Sequence, residues 1–254
     1  MSALAVLLIA IGLADVFRRV THREWLPVLI VPAAVVACAL LAGLWHRGDL
    51  PLLVIAAAAG MAWEVLGARA ERTGRRQWAP LIVLAAAAAT LVVLSGWASE
   101  VAGLVGRWSE WTQLPAVGAV SPDRLLMVVA VILLQLVTGN QLVRLVLASV
   151  GAVKPAGQPQ ASDRLKGGRL LGPMERLLIL GLGLAGQLAA ATAVVAAKSI
   201  IRFPEINAQK AAAQIKEANG NGDLRIGIDE VTEYFLVGSF ASWIVALGGL
   251  ALAQ

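Results

Sequence analysis

Apolar runs of near-membrane length recur along the chain, separated by short polar stretches. Seven of them read as spanning helices: about 2–17, 26–45, 50–68, 78–98, 124–149, 174–200 and 234–252. The first is the shortest. It begins SALAVLLIAIGLADVFRRV, with no basic residue ahead of the apolar run and Arg18 and Arg19 behind it, so it reads as a retained helix rather than a cleaved leader. Trp25 and Trp45 bracket the second segment, and Trp78 and Trp97 the fourth. Each pair would lie about 30 Å apart along a helix, the spacing of two interfacial anchors.

The sixth segment carries the most specific pattern. From Arg176, the residues Leu180, Gly183, Gln187, Ala191, Val194, Lys198 and Arg202 follow at steps of three and four, which places them on one face of a continuous helix. Apart from Leu180 and Val194, that face is small or polar. Arg176 and Lys198 would stand roughly 33 Å apart, one near each membrane surface, with Gln187 midway. Such a polar seam should face protein or a wet cavity rather than lipid. Lys198 and Arg202, four residues apart, would suit a phosphate or lipid headgroup at the outer end. The plain alternative is that the cations only snorkel and Gln187 bonds a neighbouring helix.

The fifth segment, LLQLVTGNQLVRLVLASV, is also rich in polar residues. Thr138, Gln141 and Arg144 step by three, flanked by Gln135 and Asn140. Asn140, Gln141, Arg144, Glu175 and Arg176 are candidates for a polar pocket in the cytoplasmic half, or for a helix–helix hydrogen-bond network without a ligand. Glu64 reads as an acid or as a counter-ion to Arg69 or Arg144, the ion pair being the commoner case for a Glu near a helix end, and Asp15 as a local partner of Arg18 and Arg19.

Charge fixes an expected orientation. Arg18, Arg19 and Arg23 fall in the first loop, Arg69, Arg72, Arg75 and Arg76 in the third, and Lys154, Arg164, Lys166 and Arg169 in the fifth. The positive-inside rule makes those loops cytoplasmic, the N-terminus external and the C-terminus cytoplasmic. Residues 99–112 pattern as an amphipathic helix in the outer interface. Residues 151–173 read as a flexible cytoplasmic linker between an N-terminal five-helix bundle (1–150) and a C-terminal two-helix unit (174–254). The latter carries a helical extramembrane insertion at 204–232, where Pro204 suits a helix start and Asn219-Gly220 a stop.

Composition narrows the classes. The 254 residues are 59% hydrophobic with mean hydropathy +0.77, beyond the usual range for a soluble domain. The net charge of +5 is carried in loops, without an aromatic-interleaved basic stripe, so nucleic acid is not an expected partner. Cys38 is the only cysteine, and His22 and His46 the only histidines, so no metal site is expected. Asn219, Asn221, Asp223, Arg225 and Glu230 imitate a calcium loop poorly: Asn219 replaces the leading Asp, and Leu224 the required glycine.

The order and spacing of Glu175-Arg176-Leu177, Ala197-Lys198-Ser199, Arg202-Phe203 and Glu233-Tyr234-Phe235-Leu236-Val237-Gly238 resemble the C-terminal signature of a bacterial family of uncharacterised polytopic membrane proteins. The resemblance covers roughly residues 167–247. It implies a multi-pass inner-membrane protein and no particular activity or cofactor. It marks Glu175, Arg176, Lys198, Arg202 and Glu233, the last expected to begin the seventh segment on the outer side and to clamp Lys198 or Arg202.

The expected fold is therefore an all-α transmembrane bundle. The leading functional expectation is binding or transport of an anionic lipid or small solute along the seam of segments five and six. Its rivals are a membrane enzyme acting on a lipid or isoprenoid phosphate, with Glu233 or Glu230 as acid–base group, and an accessory subunit docking a partner through 99–112 and 204–232.

Overall fold

Helix α1 (Ser2–Val20) is the centre around which the other helices stand. From Ser2 to Asp15 nearly every residue is buried, with Val6, Leu7, Ala10 and Ala14 at 0% exposure. The computed structural model describes residues 1–21, 25–112, 120–153, 168–197, 200 and 228–254. Within these the chain is helical, with no strand. After α1 come α2 (Leu26–Ala42), α3 (Asp49–Thr73), α4 (Trp78–Val93, continued by a tighter turn Leu94–Trp97) and α5 (Gly103–Trp111). They are followed by α6 (Pro122–Ser149), α7 (Gly168–Leu184), α8 (Leu188–Ala197) and α9 (Ile228–Ala253).

Helix α1 packs against α2, α3, α4 and α6, while α9 packs against α6 and α7. Small residues let the helices come close. A Cβ on Gly60 of α3 would lie 2.7 Å from Val31 of α2, and one on Gly12 of α1 would lie 2.6 Å from Leu133 of α6. Where the surroundings are as apolar as the side chains, such close packing, rather than expulsion of water, drives helix association.

Among the described residues, four helices are long and apolar enough to cross a membrane: Asp49–Thr73, Trp78–Trp97, Pro122–Ser149 and Thr232–Ala253. Helix α1 carries three charges (Asp15, Arg18 and Arg19), and α2 and α7 have only 17 residues each. The outer faces are apolar, with Leu29, Val36, Val54, Ile82, Val93, Phe240 and Ile244 all exposed. Trp25 and Trp78 stand exposed at one end of the bundle, and Trp45, Trp97, Trp108 and Trp111 at the other. This is the double girdle expected at two membrane surfaces. In the interfacial stretch, α5 turns Gly106 and Ser109 inward and leaves Leu104, Trp108 and Trp111 exposed.

Two expectations are corrected. Segment six is not one helix. Gly186 adopts a left-handed φ of 75°, and the N–H groups of Gln187 and Gly186 donate back to the carbonyls of Leu182 and Gly183. That is a Schellman stop, which glycine permits without steric penalty. Ala191 of α8 then shares a small cluster with Ile179 of α7 and Ala246 of α9. On a continuous helix Ile179 and Ala191 would be about 18 Å apart, so the chain turns back and α7–α8 forms a hairpin.

The termini are not at opposite ends either. Ser2 Oγ donates to Ser99 O at 3.2 Å, Val101 N to Asp123 Oδ2 at 3.0 Å, and Arg124 Nε to Ala253 O at 3.0 Å. Both ends of the chain therefore lie together, away from the arginine-rich end where α1 finishes and α9 starts. Because the chain doubles back at the hairpin, α9 ends beside the start of α1 and α6. The start of α7 at Gly168 also shortens the expected linker. Residues 154–167 of the linker and 204–227 of the insertion lie outside the described residues.

Candidate functional site

About three turns along, α6 changes its winding. Leu134–Thr138 forms a π-helical turn, which inserts a residue and loosens the carbonyls from their usual donors. Two arginines from other helices occupy them. Arg19 of α1 donates to Val137 O at 2.6 Å. Arg176 of α7 donates to Gln135 O through Nε at 3.2 Å and Nη2 at 2.9 Å. Gly139 makes room for this: a Cβ there would sit 2.9 Å from Arg176 Nε.

Arg176 is 1% exposed. Its guanidinium also reaches Asn140 Oδ1 at 2.7 Å and Ser242 Oγ of α9 at 3.2 Å. Gln135 ties the same helices together by donating to Val245 O at 2.9 Å, and Trp243 Nε1 donates to Glu175 at 2.9 Å. With most of its donors committed to neutral oxygens, Arg176 is a fastener for α6, α7 and α9. It is not an open anion site.

The other face of α6 is different. Thr138, Gln141 and Arg144 form a ladder facing α1 and α3. Thr138 Oγ1, fully buried, donates to Asp15 Oδ2 at 2.7 Å. The surrounding donors and acceptors assign the Gln141 amide with its nitrogen toward Asp15; so oriented, it donates to Asp15 Oδ1 at 2.7 Å and accepts from Arg18 Nη1 at 2.8 Å. Arg144, 63% exposed, lies 3.9 Å from Glu71 of α3. The ladder thus leads from the bundle interior to the arginine-rich end.

Asp15, Arg18 and Glu64 stand opposite the upper rungs. Arg18 is 3.8 Å from Asp15 and is hydrogen-bonded to Glu64 Oε2. Its side chain is 22% exposed, whereas those of Asp15 and Glu64 are 3% and 1% exposed. Glu64 Oε1 is buried with no hydrogen-bond partner, and so are Trp63 Nε1 and Gln135 Oε1. Buried polar atoms are seldom left so, and each such case asks for an explanation.

The expected site residues therefore divide. Asn140 joins Arg176, Gln141 joins Asp15 and Arg18, Arg144 meets Glu71, and Glu175 meets Trp243: two arrangements on opposite faces of α6 instead of one pocket. Gln187 is exposed at the hairpin turn, not midway along an interior seam, because the helix stops there. Glu233 is exposed near the start of α9 at the arginine-rich end, not on the far side. Lys198 and Arg202 lie outside the described residues. The expected Asp15–Arg18 pair forms, but Glu64 also pairs with Arg18, instead of with Arg69 or Arg144, which joins Asp15, Arg18 and Glu64 in one cluster. Comparison with protein-family models, curated proteins and solved structures finds no match to this chain.

Proposed function

We propose that this is an integral membrane protein of the binding or transport class, with an anionic lipid headgroup or small anionic solute as its ligand. The ligand is taken up at the arginine-rich end of the α6 ladder. One observation carries the reading: Thr138, Gln141 and Arg144 run continuously from a fully buried to a largely exposed position, lined by charged groups of α1 and α3. Polar and ionised groups inside a membrane are costly and mark function by default. The polar seam expected on segment six is thus reassigned to α6.

The membrane arrangement follows from the same features. Helices α1, α2, α3, α4, α6 and α9 make six crossings, with α1 shielded by the others. The α7–α8 hairpin enters and leaves on the arginine-rich side. An even number of crossings agrees with the neighbouring termini, and the positive-inside rule makes the arginine-rich end cytoplasmic. Arg19 and Arg144, both exposed there, give that mouth its preference for negative charge. The enzyme alternative needs carboxylates free to share a reacting atom. Asp15 and Glu64 do converge, but both are engaged by Arg18, which favours binding over catalysis.

Native mass spectrometry of the gently solubilised protein tests this, comparing wild type with Arg19→Ala/Arg144→Ala. An anionic lipid or metabolite retained by the wild type and lost from the double variant is the expected result. Equal retention by both, or no bound species in either, would exclude the ladder as the binding site.

A further inference from the structure

Three ionisable groups, two of them buried, meet where α1, α3 and α6 touch, and their full charges would not cancel. Asp15 and Glu64 bring two carboxylates, and Arg18 one guanidinium. The other nearby charges sit further out. Arg19 on α1 is exposed and turned to Val137 O. Glu71 on α3 is 35% exposed and paired with Arg144 of α6. Water screens those outer groups much more than the inner three. The facing residues of α6, Thr138 and Gln141, are neutral, and neither α2 nor α4 contributes an Asp, Glu, Lys or Arg. Arg176 and Glu175 lie on the opposite face of α6, committed to the contacts described above.

The hydrogen bonds place the open valence. Asp15 is served at both oxygens, by Thr138 and by Gln141. Glu64 is served at one only: Oε2 takes Arg18, while Oε1 has no partner in a side chain that is 1% exposed. The Trp63 indole N–H, on the preceding residue and wholly buried, is also without a partner. An ionised carboxylate has only acceptors to offer, and a bare oxygen in the bundle interior carries the full cost of lost solvation. A proton on that oxygen removes the excess charge and needs no cavity. The described residues hold no cluster of three metal-ligating side chains, so a bound metal is the less favoured way to the same end.

We propose that Glu64, with Asp15 beside it, is a proton-binding site of this protein. The proton leaves water at the arginine-rich end, where Arg18 is still partly exposed, and bonds to Glu64 Oε1, the oxygen without a partner. Nothing is oxidised or reduced. Loading and release change the charge beside Arg18 and so alter its hold on α3 and, through Gln141, on α6. The site stands whether or not the ladder binds an anionic ligand.

Infrared spectroscopy of the full-length protein in lipid bilayers reads this directly, through the C=O stretch of a protonated carboxyl group. The wild type should show one such band that survives at neutral pH and disappears as the pH is raised. Carbon-13 labelling of glutamate should shift it, and Glu64→Gln should abolish it. If Glu64→Gln fails to fold, the labelled wild type decides alone. Absence of a titrating carboxyl band at neutral pH, or a band unmoved by glutamate labelling, would overturn the proposal. Loss of the band on adding sodium at constant pH would also overturn it, by making the occupant a metal cation.

Discussion

The two ends of the bundle use polar residues in opposite ways. At the end where the termini meet, Asp49 is 2% exposed, yet every contact it makes is a local fastening. It accepts from Ser99 N at 2.8 Å, Ser99 Oγ at 2.6 Å and His46 N at 3.0 Å. Asp123 accepts from Val101 N, and the buried Ser2 and Ser109 bond to backbone carbonyls. These groups close loops and are satisfied, largely by backbone. Toward the arginine-rich end, Asp15, Arg18, Glu64, Thr138 and Gln141 bond side chain to side chain across three helices, and Glu64 Oε1 is left over. Saturated backbone caps stabilise a fold. An interlocked ionic cluster with an open acceptor costs stability, a cost that the proposed uptake and proton binding account for.

The comparison breaks most sharply at Arg18. Arg18→Met leaves two buried carboxylates without their cation and should cost about 3–5 kcal/mol, read as a lower unfolding midpoint in detergent. Arg18→Met/Glu64→Gln should recover much of that loss. A double variant no more stable than the single one would mean that Arg18 acts through packing instead of charge.

At the opposite end, Asp49→Ala strands the donors on Ser99 and His46 and should cost about 2 kcal/mol. Ligand retention and the infrared titration should be unchanged. Altered ligand binding in this variant would erase the contrast between a stitched end and a working one.

Gly139→Ala drives a methyl into the Arg176 guanidinium and should cost about 1–2 kcal/mol by overpacking, seen as earlier loss of the α7–α9 packing by hydrogen exchange. A neutral outcome would show that Arg176 can leave the π-turn carbonyl freely. The smallest effects are expected at two glycines, one at the hairpin stop and one inside α9. Gly186→Ala, at a left-handed backbone, should cost about 1 kcal/mol. Gly248→Ala, with nothing within 4 Å of the new Cβ, should gain a few tenths of a kcal/mol from helix propensity. Equal effects at the two glycines would argue against the Schellman stop.

Parts of the site were legible in the sequence. The three-residue steps of Thr138, Gln141 and Arg144 put them on one face, and that face is the ladder. Arg176 stood out as a cation inside an apolar run, and it is the most buried arginine among the described residues. The hairpin also left a signal, since Gly186-Gln187 has the composition of a helix stop. Periodicity across the stop was kept by chance, and a continuous face was inferred that the backbone does not form. Asp15 was read only in part: its local pair with Arg18 forms, but that pair left no reason to expect its bonds to Thr138 and Gln141 of α6. Nothing in spacing reveals that Glu64, 46 residues from Arg18, takes the stronger contact.

By itself, the sequence determined the all-helical character, the presence of apolar helices long enough to cross a membrane, the belts of tryptophan, the arginine-rich end and the faces on which polar residues lie. These follow from composition and from the fixed periods of a helix, which are local properties. Only the tertiary structure decided which faces meet, that α1 lies at the centre, that the chain doubles back after Leu184 and that both termini share one end. Those outcomes depend on close packing and hydrogen bonding between distant segments, where a single left-handed glycine or one π-turn redirects everything that follows it.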